Sequence, residues 1–187
     1  MRIGFCCKWL NSHSEFGGMK VNAKDRDLNG RSTTMRWLRE HPEDAVQRQW
    51  DIMNHNATAA RKLVQRVGSL PPERRMVRLG SEMLQGYTEA NWIDWWQRPE
   101  IQKHCENIFA PVGEMAPKFN VKVSFHPGQF CVLSSVSEDI RKRSIEECST
   151  SYPSRTYEPH VTRPCAGRSG RSAKFQLYEI VSCGIST

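Results

Sequence analysis

The sequence predicts an α/β fold in which parallel strands are separated by helices, and three observations lead there. Two long segments carry apolar residues at alternating spacings of three and four. Short apolar runs bounded by turn residues stand before, between and after those segments. The resulting order is strand, helix, strand, helix, strand, helix. Helices between successive strands impose parallel pairing through right-handed crossovers, which leaves an open doubly wound sheet or a (β/α) barrel.

Arg2 to Cys7 is the first apolar run and reads as a strand, followed from Asn11 to Gly30 by a Gly-, Asn-, Asp- and Lys-rich stretch without periodicity that reads as a long loop. Ser32-Thr33-Thr34 supplies hydroxyls for a helix N-cap, and Met35, Trp37 and Leu38 give a short helical stripe ending near Pro42. Between Glu43 and Val67, the residues Trp50, Met53, Ala57, Ala60, Val64 and Val67 share one helical face. Gly68 is expected to end this helix in a left-handed conformation, and Pro71-Pro72 prevents its continuation.

Met76 to Gly80 has the composition of a strand buried on both faces. Ile101, Cys105, Ile108, Val112, Met115 and Phe119 mark a second amphipathic helix that begins after Pro99. Val121 to Phe125 is a third strand, turned by Pro127-Gly128, and Ser137-Glu138-Asp139 opens another helix with acidic groups at its positive end. From Cys148 to Thr187 the pattern breaks, with seven serines and three prolines in 40 residues and only Phe175 to Val181 resembling a strand. A disordered Ser/Arg-rich tail, or a segment of separate origin, fits that composition. The chain therefore divides into a patterned part, residues 1–147, and an irregular part, residues 148–187.

A formal net charge of +7 favours a polyanionic partner, because clustered Lys and Arg neutralise phosphates and release counterions. Seven cysteines, with Cys6 and Cys7 adjacent and no C-x-x-C pair, argue against a disulfide framework or zinc ribbon and for reduced thiols. Neither a signal-type apolar region nor a run of about 18 apolar residues is present, so the expectation is a cytoplasmic protein without a membrane partner. No obligate protein partner is evident.

The segment Ser124-Phe125-His126-Pro127-Gly128-Gln129-Phe130 carries the chemistry. An apolar strand delivers His126 at its C-terminal end, which is the catalytic face of (β/α) barrels. The Pro-Gly turn then presents Gln129 and Phe130, an amide beside an aromatic ring, suited to touching an exposed base. The plainer alternatives are a loop imidazole bonded to a carbonyl, a loop amide and a core aromatic. Trp92, Trp95 and Trp96 beside Arg98 could stack on nucleic acid, but core packing is the favoured role.

The block SFHPGQFCVL, followed by RSIEE, resembles the UV damage endonuclease (UvdE) family. MRIGFCCKW resembles that family's opening strand, Ser32-Thr33-Thr34 its Thr-Thr segment, and RMVRLGSEML its second strand and loop, so the resemblance spans residues 1–147. It implies a TIM-barrel nuclease that nicks double-stranded DNA 5′ of UV photoproducts in excision repair. The implied cofactor is a cluster of divalent ions, manganese first and zinc or magnesium as alternatives. By the same resemblance His126 is a catalytic metal ligand, Glu82 a second ligand or an exposed loop carboxylate, and Gln129 and Phe130 the pair inserted at the lesion.

Phe5 stands where many members have Tyr and is a candidate lesion contact, with packing as its plainer role; Trp9 falls near a family Asn. The family's later strands, which bear most of its His, Asp and Glu ligands, are not legible after Glu147. A full barrel takes roughly 250 residues and eight strands, so the expected architecture is an incomplete TIM barrel of about three βα units with an irregular C-terminal tail. The alternative function is a catalytically inactive, basic nucleic-acid-binding remnant of that fold. Sugar isomerisation on the same barrel is disfavoured by the positive charge and the Gln-aromatic pair.

Overall fold

The computed structural model describes residues 2–10, 12–13, 19–20, 23–87, 89–126 and 131–151. The first strand, β1, is Phe5–Cys6, shorter than the apolar run around it. Gly4 explains part of the difference, because a Cβ there would fall 2.5 Å from the Met76 carbonyl oxygen, and the backbone needs that close approach. The stretch expected to be a long loop contains an antiparallel pair, β2 (Ser12–His13) and β3 (Met19–Lys20), and a 3-10 turn over Ala23–Leu28. Two-residue strands leave no periodic signature to read. Leu28 and Asp25 are buried in that turn, and the Asp25 carboxylate accepts from the Arg66 guanidinium at 2.8 Å.

The short helix α1 (Met35–Glu40) is capped as the sequence predicts, with the Thr34 hydroxyl accepting the Trp37 N–H at 3.1 Å. Helix α2 runs over Pro42–Gly68, with Pro42 in its first turn, where no donor is lost, and Glu43 and Asp44 at its positive end. Met53, Ala57, Ala60, Val64 and Val67 are buried as expected, while Trp50 packs at the margin. Gly68 corrects the expectation of a left-handed cap: it is the last helical residue, and a Cβ there would fall 2.6 Å from the Phe119 Cβ. Its role is to let two helices touch.

After β4 (Met76–Gly80) come α3 (Ala90–Trp96), α4 (Pro99–Lys118), β5 (Lys122–His126) and α5 (Glu138–Ser151). Trp95 and Trp96 of α3 are core residues, as favoured from sequence. In α4 the buried line is Ile101, Cys105, Phe109, Val112 and Ala116, with Ile108, Met115 and Phe119 flanking it. The expected stripe lies on one side of a broader buried face. Helix α5 continues past residue 147, and residues 152–187, including the expected strand from Phe175, lie outside the described residues.

The three parallel strands pair in the order β1-β4-β5, with Phe5, Val77 and Val123 aligned in one row and Cys6, Arg78 and Ser124 in the next. Val77, Leu79, Val123 and Phe125 are buried in one cluster with α2 and α4 residues. On the opposite face Met76, Arg78, Ser124 and His126 are only half-buried and Lys122 is exposed. This corrects the expectation that β4 is buried on both sides. Sequential order, with the helices of both crossovers on one face, is the arrangement of successive units in a (β/α) barrel, whereas doubly wound sheets carry helices on both.

Candidate functional site at the strand ends

All three parallel strands terminate at one edge, and beyond each of them the described backbone is tied down by other elements. After β1, the Asn29 side chain brackets Trp9, its Oδ1 accepting the Trp9 N–H at 2.6 Å and its Nδ2 donating to the Trp9 carbonyl at 3.1 Å. The Arg66 guanidinium lies 5.5 Å from the centre of the Trp9 ring while reaching Asp25. Phe5 meets Trp9 edge to face at 5.5 Å. Phe5 is thus in the helix-packed row with Val77, not the row of His126, and also lines a cleft of ≈190 Å³ with Gly4, Cys6, Met76 and Arg78.

After β4, a 3-10 turn over Ser81–Leu84 carries the backbone of Glu82, held down by the buried Met83 and Leu84. The Gln85 carbonyl accepts from the Gln49 amide at 3.2 Å and the Trp96 indole at 3.1 Å, and its side-chain oxygen accepts the Thr33 N–H at 3.3 Å. Gly86, at φ 69°, supplies the left-handed residue that returns the chain toward α3. The Glu82 side chain lies outside the described residues, as do Gln129 and Phe130.

His126 is the last residue of β5 and is aligned with Gly80, which places no side chain beside it. Because neighbouring strand residues alternate in direction, its imidazole is on the helix-free face while Phe125 is buried under the helices. Ser124 and Arg78 share that face one step below. The Ser124 hydroxyl oxygen is buried without a hydrogen-bond partner, and Arg78 takes no part in the ion pairs found among the described residues. Motif reading passed over these two, yet the alternation in MVRLG and KVSFH, once the strands are registered, puts both on the polar face.

Beyond β5 the chain is fastened to α5, where the buried Ser144 hydroxyl accepts the Val132 N–H at 2.8 Å and the Ser144 carbonyl accepts from the Cys131 thiol at 3.4 Å. The mouth therefore holds an imidazole, an arginine and a hydroxyl on one sheet face, with the described segments beyond each strand anchored. A sequence profile of the UV-endonuclease UvdE family matches residues 14–153 of this 187-residue chain. The chain belongs to the UvdE family. A solved UvdE-type structure, SacUVDE, superposes with a TM-score of 0.51 at 18% identity over 79% of this chain, supporting the fold. This UvdE chain covers 42% of that chain's length. It matches no curated protein.

Imidazole and carboxylate donors suit manganese or zinc. Among the described residues of this UvdE chain, however, no group of three or more His, Cys, Asp or Glu side chains converges. They do not by themselves form a metal centre, and an ion held by His126 and one carboxylate would keep most of its coordination sphere as water. Also among the described residues, no helix is long and apolar enough to cross a membrane.

Proposed function

We propose that this chain acts on UV-damaged duplex DNA as the N-terminal part of a barrel nuclease, nicking the backbone 5′ of the photoproduct in a divalent-metal-dependent reaction. The observation that carries the reading is the position of His126: in a UvdE-family chain, the histidine of the HPGQF block ends a parallel strand on the one sheet face that helices leave open. A divalent ion, manganese in the first instance, would polarise the scissile phosphate and lower the pKa of an attacking water. His126 would hold it, with Glu82 as second ligand. Arg78, a fixed cation one layer below, favours phosphate over neutral substrates at this mouth. Gln129 and Phe130, which follow His126 in sequence, would fill the space left by the unstacked lesion, and Phe5 would contribute packing to the first loop's approach.

The test is nicking of an end-labelled duplex carrying a single photoproduct, with Mn²⁺ and without it. The wild-type chain is expected to cut 5′ of the lesion only with the ion, and His126→Ala to abolish cutting while retaining salt-sensitive DNA binding. Equal cutting by His126→Ala removes the site assignment. Wild-type protein that binds DNA with a steep salt dependence and never cuts, with Mn²⁺, Zn²⁺ or Mg²⁺, selects the noncatalytic binding module.

A further inference from the structure

We propose that Cys6 and Cys7 form a reversible dithiol–disulfide modification site at the mouth of the sheet, independent of the nuclease reading. Consecutive residues leaving a strand normally point to opposite faces, which would keep adjacent thiols apart. Here Cys7 has φ 65°, and the Lys8 N–H donates to the Cys6 carbonyl at 2.8 Å, closing a turn over three residues. Turns of this hand are rare and strained for a residue with a Cβ, and they persist where the surroundings over-determine them. Both flanks are fixed: the Cys7 N–H donates to the Arg78 carbonyl at 2.7 Å, and Asn29 brackets Trp9. The outcome is an Sγ–Sγ separation of 3.2 Å.

The two thiols differ in access, Cys6 being exposed and Cys7 half-buried. That is the division between an attacking and a resolving cysteine. The Cys6 thiolate attacks one sulfur of a small-molecule disulfide, whose S–S bond breaks and releases one thiolate. The Cys7 thiolate then attacks Cys6 Sγ in the mixed disulfide, forming the Cys6–Cys7 bond and releasing the second thiolate. The two protons lost by the cysteines go to the two departing thiolates. Adjacent Cα atoms across a trans peptide are about 3.8 Å apart, below the usual 4.4 Å minimum for a disulfide, so the product is strained and readily reduced.

Trypsin releases Ile3 to Lys8, a peptide that holds these two cysteines and no other. The full chain is incubated with oxidised glutathione, remaining thiols are alkylated, and this peptide is weighed. The expected result is the loss of both alkylation labels and of the mass of two hydrogens, reversed by dithiothreitol, with faster formation in the folded chain than in urea. Cys7→Ser should instead trap one glutathione on Cys6. A wild-type peptide alkylated on both cysteines, carrying two glutathiones, or oxidised no faster folded than unfolded overturns the proposal.

Discussion

Replacing Gly68 by Ala separates two explanations of how α2 ends. If space were free, the substitution would stabilise a helical position by about 1 kcal/mol, the usual Gly-to-Ala difference. The added methyl would instead fall 2.6 Å from the Phe119 Cβ and 2.8 Å from its Cγ. Those atoms are the root of the side chain, not a flexible end, so α2 and α4 must move apart. Overpacking of this kind costs about 1–3 kcal/mol, which offsets the propensity gain of about 1 kcal/mol and leaves Gly68→Ala net destabilising by up to about 2 kcal/mol. With Phe119→Gly already in place the Cβ obstacle is gone, and the same change should become neutral or stabilising by up to about 1 kcal/mol. Urea unfolding followed by helical circular dichroism reads all four proteins, with the midpoint moving and the slope unchanged. Stabilisation in the wild-type background, or the same effect in both backgrounds, would refute the close-packing argument; equal destabilisation in both would restore a left-handed cap.

Asn29→Ala removes both bonds that bracket Trp9, and a loss of about 1–3 kcal/mol is expected, with faster hydrogen exchange at the Trp9 amide than at core amides of β4. Thr34→Ala removes the cap of a six-residue helix and should lower stability by about 1 kcal/mol in the same urea titration. Burial pushes the Cys105 thiol up to about 12, so it should resist iodoacetamide at pH 8 until the chain unfolds, while exposed Cys6 reacts in the native protein. Because the unfolded thiol ionises near its ordinary value of 9.0, its contribution to stability is complete below that pH and declines as pH rises toward 12. Cys105→Ala should flatten that decline in urea titrations between pH 8 and pH 10.

The two long helices and the strands β4 and β5 were legible because each has a periodic or continuous apolar signature that packing then uses. Prolines 111 and 117 did not interrupt α4, since its buried line of Ile101, Cys105, Phe109, Val112 and Ala116 outweighs the lost backbone bonds. What could not be read depends on contacts distant in sequence. The Gly68 approach needs Phe119, the Gly4 approach needs Met76, and the pairing of β2 with β3 has no apolar period to announce it. At the site, the HPGQF motif marked His126, but only strand register places Arg78 and Ser124 on its face. The roles of Glu82, Gln129 and Phe130 rest on resemblance, since their side chains lie outside the described residues.

The histidines allow the most direct test of the account. His41 at the end of α1, His55 in α2 and His104 in α4 have ring nitrogens hydrogen-bonded to Trp37, Asn29 and Asn54, whereas His126 ends β5. Substoichiometric Mn²⁺ added to histidine-labelled protein should broaden the His126 imidazole signals first and leave those three sharp. Broadening of His41, His55 or His104 ahead of His126, or none at His126 when Mn²⁺ exceeds the protein, would contradict a metal-holding imidazole at the strand ends.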